Sequence, residues 1–429
     1  MNFLGTNKKQ LINKKQTKMK KLFMLVAVAT TSMAVMATNP VVTAMPSLTI
    51  APDAHAAGMG DLGAATTPDF NSQHWNAAKY AFIEDSRGGI VASYTPWLRS
   101  LVGDIDLAYL CGFYKFDDLQ AISASFTYFS MGEVQMTNIE GTFLQTAHPN
   151  EWALDVAYSR KLHEYVSMAA TLRFMYSDLN NGANSSTDGS RNELYPAWTM
   201  AADISLYYRQ PIELPMGVSR FALGFNLSNL GGKMSYDKGN TSNFIPANLR
   251  LGVSYELPFD NYNRLMASVE CNKMLVPTTK SRYATAGVDK TTTSDLYPEG
   301  VPQYSTEEYS KVSSPKGWWQ SFADAPGYTN EDGKRISSSM EEFQEVQWAV
   351  GLEYSYDRKF FGRVGYSHEN YYKGNRRYVT LGAGFALSIV RLDISYCIAT
   401  ASTNPLNNTM RFTLGFDLAG IKDLVNNKK

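Results

Sequence analysis

Apolar and polar residues alternate along most of the chain. Ile122, Ala124, Phe126 and Tyr128 share one parity, and Ser123, Ser125 and Thr127 the other. Trp152, Leu154, Val156 and Tyr158 stand opposite Ala153, Asp155, Ala157 and Ser159. Leu249, Leu251, Val253 and Tyr255 oppose Arg250, Gly252 and Ser254, and Val390, Leu392, Ile394 and Tyr396 oppose Arg391, Asp393 and Ser395. Successive strand side chains point to opposite faces, so a period of two predicts strands with one greasy and one hydrophilic side. Fourteen strands are expected, over 89–97, 103–115, 119–137, 150–161, 165–177, 195–208, 219–229, 245–257, 264–274, 345–356, 358–368, 377–388, 390–399 and 409–418.

A soluble sandwich alternates in the same way, but three features favour a 14-stranded antiparallel transmembrane β-barrel. The runs reach ten residues or more, the length that a tilted strand needs to cross a bilayer. Connections alternate between tight (Asp117-Asp118, Leu162–Glu164, Pro258–Asn263, Asp357–Lys359) and long (138–149, 178–194, 230–244, 275–344, 400–408). Outer-membrane barrels join strands by short periplasmic turns and long outside loops. Aromatics cluster near strand ends, among them Trp97, Trp152, Trp198, Tyr207, Tyr208, Tyr354, Tyr356, Tyr371 and Tyr372, as an interfacial girdle requires.

The polar faces then line the lumen, with Asp106, Asp155, Asp203, Arg250, Glu256, Glu270, Glu353, Arg363, Arg391, Asp393 and Arg411. Leaving such groups unpaired in a dry core would cost several kcal/mol each. Acids and arginines in cross-pairs avoid that penalty. They suit either a charge-selective pore or a ladder that holds a plug, and the ladder is the favoured reading.

Composition adds an address. The basic Met19-Lys20-Lys21 precedes an apolar run from Leu22 to Ala37, followed by small residues. This reads as a secretory signal behind an upstream extension, together 1–44, cleaved after Ala37 or Ala44. The whole chain balances 40 basic against 40 acidic residues; without the seven lysines of 1–44 the balance is 33 to 40, a net −7. No bulk electrostatic case for nucleic acid exists. Three cysteines, Cys111, Cys271 and Cys397, support neither a disulfide framework nor a metal cluster.

Residues 45–88 do not alternate and are rich in small residues. Gly58-Met59-Gly60-Asp61-Leu62-Gly63 formally matches GxGxxG, but Pro52 and Pro68 fit neither the strand before nor the helix after that a dinucleotide site needs. Close backbone packing inside a crowded lumen is the better use of these glycines. Packing there is expected to involve Gly58, Met59, Gly60, Gly63, Trp75 and Asn76.

The run AHAAGMGDLGAATTPDFNSQHWNAAKYAF resembles the N-terminal hatch of FadL-like outer-membrane barrels. Together with PSLTIAPDA and SYTPWLRSLVGDIDLAYLCGFYKFDDLQAISASFTYFSMGEV it resembles, more narrowly, the PorV family of the type IX secretion system. Ala77 and His55 depart from the family, which often has Pro and Arg at those places. The resemblance implies a hatch at 45–88, a barrel at 89–418, a short tail at 419–429, and the Gram-negative outer membrane with its lipid as the setting. It implies a carrier with no enzymatic activity and no cofactor or metal. Such a carrier receives secreted cargo through its C-terminal signal domain from the type IX translocon and hands it to a sortase-like attachment complex. The alternative is a FadL-type transporter of hydrophobic small molecules.

The five histidines show no HExxH spacing. The loop 275–344 is far longer than an ordinary connection. Its aromatics, Tyr304, Tyr309, Trp318, Trp319, Phe322 and Tyr328, are the candidate cargo or partner contacts, because such side chains give large contact areas with few rotors. Folding over the mouth to bury themselves is their other expected use.

Overall fold

The computed structural model describes residues 41–99, 102–137, 142–181, 194–278, 306–330, 334–387, 389–400, 406–418 and 420. Most of the expected signal and tail, and Tyr304 of the long loop, lie outside the described residues. Fourteen antiparallel strands close into a barrel. They are β1 (Gly88–Pro96), β2 (Asp106–Lys115), β3 (Gln120–Ser130), β4 (Asn150–His163), β5 (Val166–Asp178), β6 (Ala197–Leu214) and β7 (Gly217–Gly231). The second half is β8 (Asn248–Pro258), β9 (Asn263–Met274), β10 (Gln347–Tyr356), β11 (Phe360–His368), β12 (Arg377–Leu387), β13 (Val390–Ala399) and β14 (Thr409–Asp417). Each strand pairs with its sequence neighbours, and β1 pairs with β14 from Gly89 opposite Asp417 to Tyr94 opposite Phe412. Closure leaves no unpaired edge, the condition for a sheet to sit in hydrocarbon.

The parity of each strand decides what meets lipid. Leu110, Leu154, Leu172, Met200, Leu251, Val269, Leu352 and Leu381 are exposed on the outer surface, while Ser125, Asp155, Thr171, Asp203, Ser254, Glu270 and Glu353 are buried on the inner one. The aromatic girdle is visible as ring contacts between neighbouring strands. Trp152 lies between Phe126 and Phe174 at 6.0 and 5.5 Å, and Phe174 stacks on Trp198 at 5.9 Å.

Three expectations need correction. The run 119–137 is not one strand: β3 stops at Ser130, and Val134–Thr137 pairs with Phe143–Ala147 in a separate two-stranded sheet. Gly132 turns the chain there at φ 74°, and a Cβ on it would fall 2.4 Å from the Asp104 carboxylate. Asp106 does not face the lumen. It has the parity of the exposed Leu110, and its carboxylate accepts from Tyr94 and Arg99 at 2.7 and 2.8 Å. Tyr207 is not part of the girdle: it is buried inside, and its hydroxyl donates to the Thr66 carbonyl at 3.3 Å.

Most of residues 44–83 is buried against the inner wall. Ala44 N–H donates to the Phe244 carbonyl in the long β7–β8 connection, whereas the Ile83 carbonyl accepts from Lys115 beside the tight β2–β3 turn. The segment therefore runs from the long-loop end to the tight-turn end. Its helical turn Ala54–Ala57 packs against β12, β13 and β14, and its 3-10 helix Ala77–Phe82 against β2 through β6.

Candidate functional site

The N-terminal segment is fastened to the wall by backbone contact and by charge. A Cβ on Gly58 would lie 3.0 Å from Gly382 Cα, and Gly60, at φ 87°, sits against the Tyr366 backbone. Met59 is fully buried, with its own backbone against Gly351 and Gly365. Gly63 lies under the Trp75 ring, where a Cβ would meet the indole at 2.4 Å. Trp75 donates its indole N–H to Asp53 at 2.6 Å and carries the Arg250 guanidinium 4.7 Å over its ring. Asn76 donates to the carbonyls of Ala64 and Leu206, both at 2.9 Å, and its side-chain oxygen caps Ala78 N–H at 3.1 Å. All six expected packing residues are buried, and Asn76 ties the segment to β6.

Charges complete the fastening. Glu270 on β9 accepts from Gly63 and Ala64 N–H at 2.9 and 2.8 Å. Lys79, buried, donates to Gly63 O and Thr66 Oγ1 at 3.0 Å each. His55 bridges two layers, with Nδ1 against Asp69 of the segment and Nε2 3.0 Å from Glu353 on β10. Burial and the nearby Arg363 oppose its charge, but the Asp69 and Glu353 carboxylates outweigh both and lift the imidazole to about 9. The wall has its own pairs in strand register. Asp155 opposite Arg173 bonds at 2.7 Å, and Arg363 opposite Glu353 at 2.6 Å. Arg173 also reaches Asp203 at 3.1 Å.

At the other end the long connection between β9 and β10 is partly helical. Among its described residues are Thr306–Lys311, Ser314–Gln320 and Ser338–Gln344 as helices, and Tyr328–Thr329 paired with Arg335–Ile336. Lysines on the rim hold it down. Lys273 donates to Glu342 and Glu345 at 3.2 and 2.8 Å, and Lys373 to Glu341 and Glu345 at 2.6 and 2.9 Å. Burial disfavours the Lys373 charge, yet Glu345 and Glu341 prevail and raise its pKa. Asp324 clamps Thr278 by N–H and hydroxyl at 2.9 and 3.1 Å; burial, reinforced by Glu342 and Glu345, pushes its carboxyl up to about 6 against those hydrogen bonds.

The expected loop aromatics divide into two sets. Tyr328 is buried at 2% exposure, its ring tilted against Tyr372 at 4.5 Å and its hydroxyl donating to Gln344 at 2.6 Å. Tyr309 is half-buried against Phe244 at 5.3 Å and donates to the Pro277 carbonyl at 3.2 Å. Trp318 is half-buried. Trp319 and Phe322 are 79% and 45% exposed. The structure adds two apolar residues not named above, Met340 and Phe343, at 49% and 73% exposure. Their i, i+3 spacing in SSSMEEFQ marks one face of a short helix, which is the signal that could have found them. Lys273 lies 5.8 Å from the Phe322 ring centroid and also bonds Glu342.

The barrel is closed, with an apolar exterior and a bonded polar lining. The family described as "Type IX secretion system protein PorV" matches residues 34–281. The chain belongs to the PorV family. It is an outer-membrane β-barrel of Gram-negative bacteria and a component of the type IX secretion system. No curated protein matches it by sequence. Among solved structures it is similar to the toluene transporter TodX of Pseudomonas putida, at 12% identity and TM-score 0.47 over 85% of this chain and 96% of that one. The toluene transporter TbuX of Ralstonia pickettii has 11% identity and TM-score 0.45 over 87% and 97%. A FadL homologue of Pseudomonas aeruginosa has 12% identity and TM-score 0.39 over 89% and 100%. Likeness at that level decides nothing about what this PorV-family barrel carries.

Proposed function

We propose that this PorV-family barrel is a non-enzymatic carrier of secreted proteins. It receives cargo from the type IX translocon by the cargo's C-terminal signal domain and delivers it to a sortase-like attachment complex. The observation that carries this reading is the exposure of Trp319, Phe322, Met340 and Phe343 on the long loop. Large apolar side chains on a scaffold pinned by Lys273 and Lys373 suit a hot-spot patch, since holding them exposed otherwise gains nothing. Residues 41–87 serve as a plug, so cargo is held at the long-loop end and does not pass through the barrel. Uptake of hydrophobic solutes would need a connected apolar path, whereas the lumen here is crossed by the Arg173, Arg250 and Arg363 ion pairs.

Binding of purified cargo C-terminal domains to the detergent-solubilised barrel tests the proposal. Capture is expected for the native barrel and is expected to weaken about tenfold or more in a Trp319→Ala/Phe343→Ala double variant. Equal capture by both would remove the loop from the mechanism. No capture by either, with deletion cells still releasing and attaching cargo normally, would refute the carrier role.

A further inference from the structure

A cavity of about 150 Å³ opens at the tight-turn end, between residues 67–85 and the inner wall. Guanidinium groups dominate its polar lining. Four are engaged: Arg363 with Glu353 and Asp393, Arg209 with Glu84 at 2.9 Å, and Arg220 and Arg264 with Glu256 at 3.2 and 2.8 Å. Two others, Arg358 and Arg391, have no carboxylate partner among the described residues. Arg391 lies over the Phe70 ring, 4.3 Å from its centroid. That stacking holds the group flat and leaves its N–H edge available.

Arg358 sits in the β10–β11 turn at φ 50°, where Asn or Gly is far better tolerated. It lines the same cavity as Arg220. A cation in a disfavoured backbone position beside another cation gains nothing for the fold, which points to a use outside it. The acids of the lining are mostly spoken for: Asp69 by His55, Glu353 and Asp393 by Arg363. Asp85, exposed, is the lining carboxylate without a described partner. Phe82, Ile83 and Phe361 supply an apolar wall. A cavity of this size is large enough for one benzene-like ring.

We propose that this vestibule binds a small organic anion, a carboxylate on a body about one ring in size. Arg358 and Arg391 grip the carboxylate, and the body lies against Phe361. The site is at the opposite end of the barrel from the loop patch and does not depend on cargo binding there. In outer-membrane barrels the tight turns face the periplasm, so the carboxylate comes from that side, either as a free acid or as the C-terminal residue of a peptide.

The test is a ligand-observed NMR titration of the full chain in detergent. Probes are benzoate, its neutral analogue benzyl alcohol, N-acetyl-glycyl-phenylalanine, and the C-terminal amide of that peptide. Benzoate is expected to bind roughly tenfold tighter than benzyl alcohol, and added salt to weaken it. Arg391→Gln and Arg358→Gln are each expected to reduce benzoate affinity about tenfold, while Arg99→Gln on the outer surface leaves it unchanged. Displacement of benzoate by the peptide acid but not the amide assigns the site to chain ends; displacement by neither assigns it to free acids, and both outcomes support the proposal. Benzoate binding no better than benzyl alcohol overturns it on the native protein alone, even if a variant fails to fold. Undiminished binding in the correctly folded Arg358→Gln/Arg391→Gln double variant overturns it as well.

Discussion

Gly365 on β11 is where the wall and the N-terminal segment come closest. A Cβ built there would fall 2.0 Å from the Met59 carbonyl carbon and 2.2 Å from Gly60 N, where ordinary contact begins at 3.4 Å. The deficit is about 1.4 Å, against backbone on both sides. β11 is bonded to β10 and β12 along its length, so the segment is the part that yields. Overpacking of this kind costs about 1–3 kcal/mol. For Gly365→Ala that raises the detached fraction of the segment about 5- to 150-fold. Lys79, buried while the segment is seated, reports the change as a trypsin site. Cleavage after Lys79 follows the open population when reclosing is fast. Gly362 on the same strand is the control, since a Cβ there meets nothing within 4 Å. Mass spectrometry of timed digests is expected to show faster Lys79 cleavage in Gly365→Ala and native rates in Gly362→Ala. Equal rates in the two variants would refute the idea that this contact seats the segment.

Two further outcomes follow from the buried charges. His55 titrates at its usual 6.5 in the unfolded chain and at about 9 in the folded one. Its contribution to stability is therefore full below pH 6.5 and lost as pH rises through about 9; melting followed from pH 6 to 10 should show that decline, and His55→Gln should abolish it. Arg173→Ala strands the buried Asp155 and Asp203 carboxylates. It is expected to destabilise the barrel by about 3–5 kcal/mol in denaturant unfolding, with much of the loss recovered when Asp155→Asn and Asp203→Asn are added; a loss below about 1 kcal/mol would contradict the pairing.

The barrel was legible because lipid imposes a simple rule on sequence. Every outward position of a spanning strand must be apolar, so Leu154, Val156 and Tyr158 announce their strand without any knowledge of its neighbours. Cross-strand pairs such as Asp155 with Arg173 were legible in kind, as opposite charges on inward parities, though not in partner. What failed was local. Thr137 continues an alternation that Gly132 had already broken, because a glycine inside a strand pattern and one that turns the chain look alike in one dimension. The seat of the N-terminal segment was illegible for a different reason. His55 and Glu353 are almost 300 positions apart, and no periodicity relates a filler to the wall that encloses it. In the loop, Tyr328 and Trp319 are equally aromatic in sequence; only the Tyr372 ring and the Gln344 acceptor assign one to the interior.

The seam between β1 and β14 bears on how the molecule is assembled. It joins the first strand of the ring to the last, so the cylinder stays slit along one side until those two strands pair. Residues 41–87 precede that first strand and traverse the interior from mouth to base. Wrapping the sheet around them through the open slit is sterically simple, whereas pushing them down a finished tube past Arg173 and Arg363 is not. A segment seated before the β1–β14 pairing forms is enclosed by that pairing.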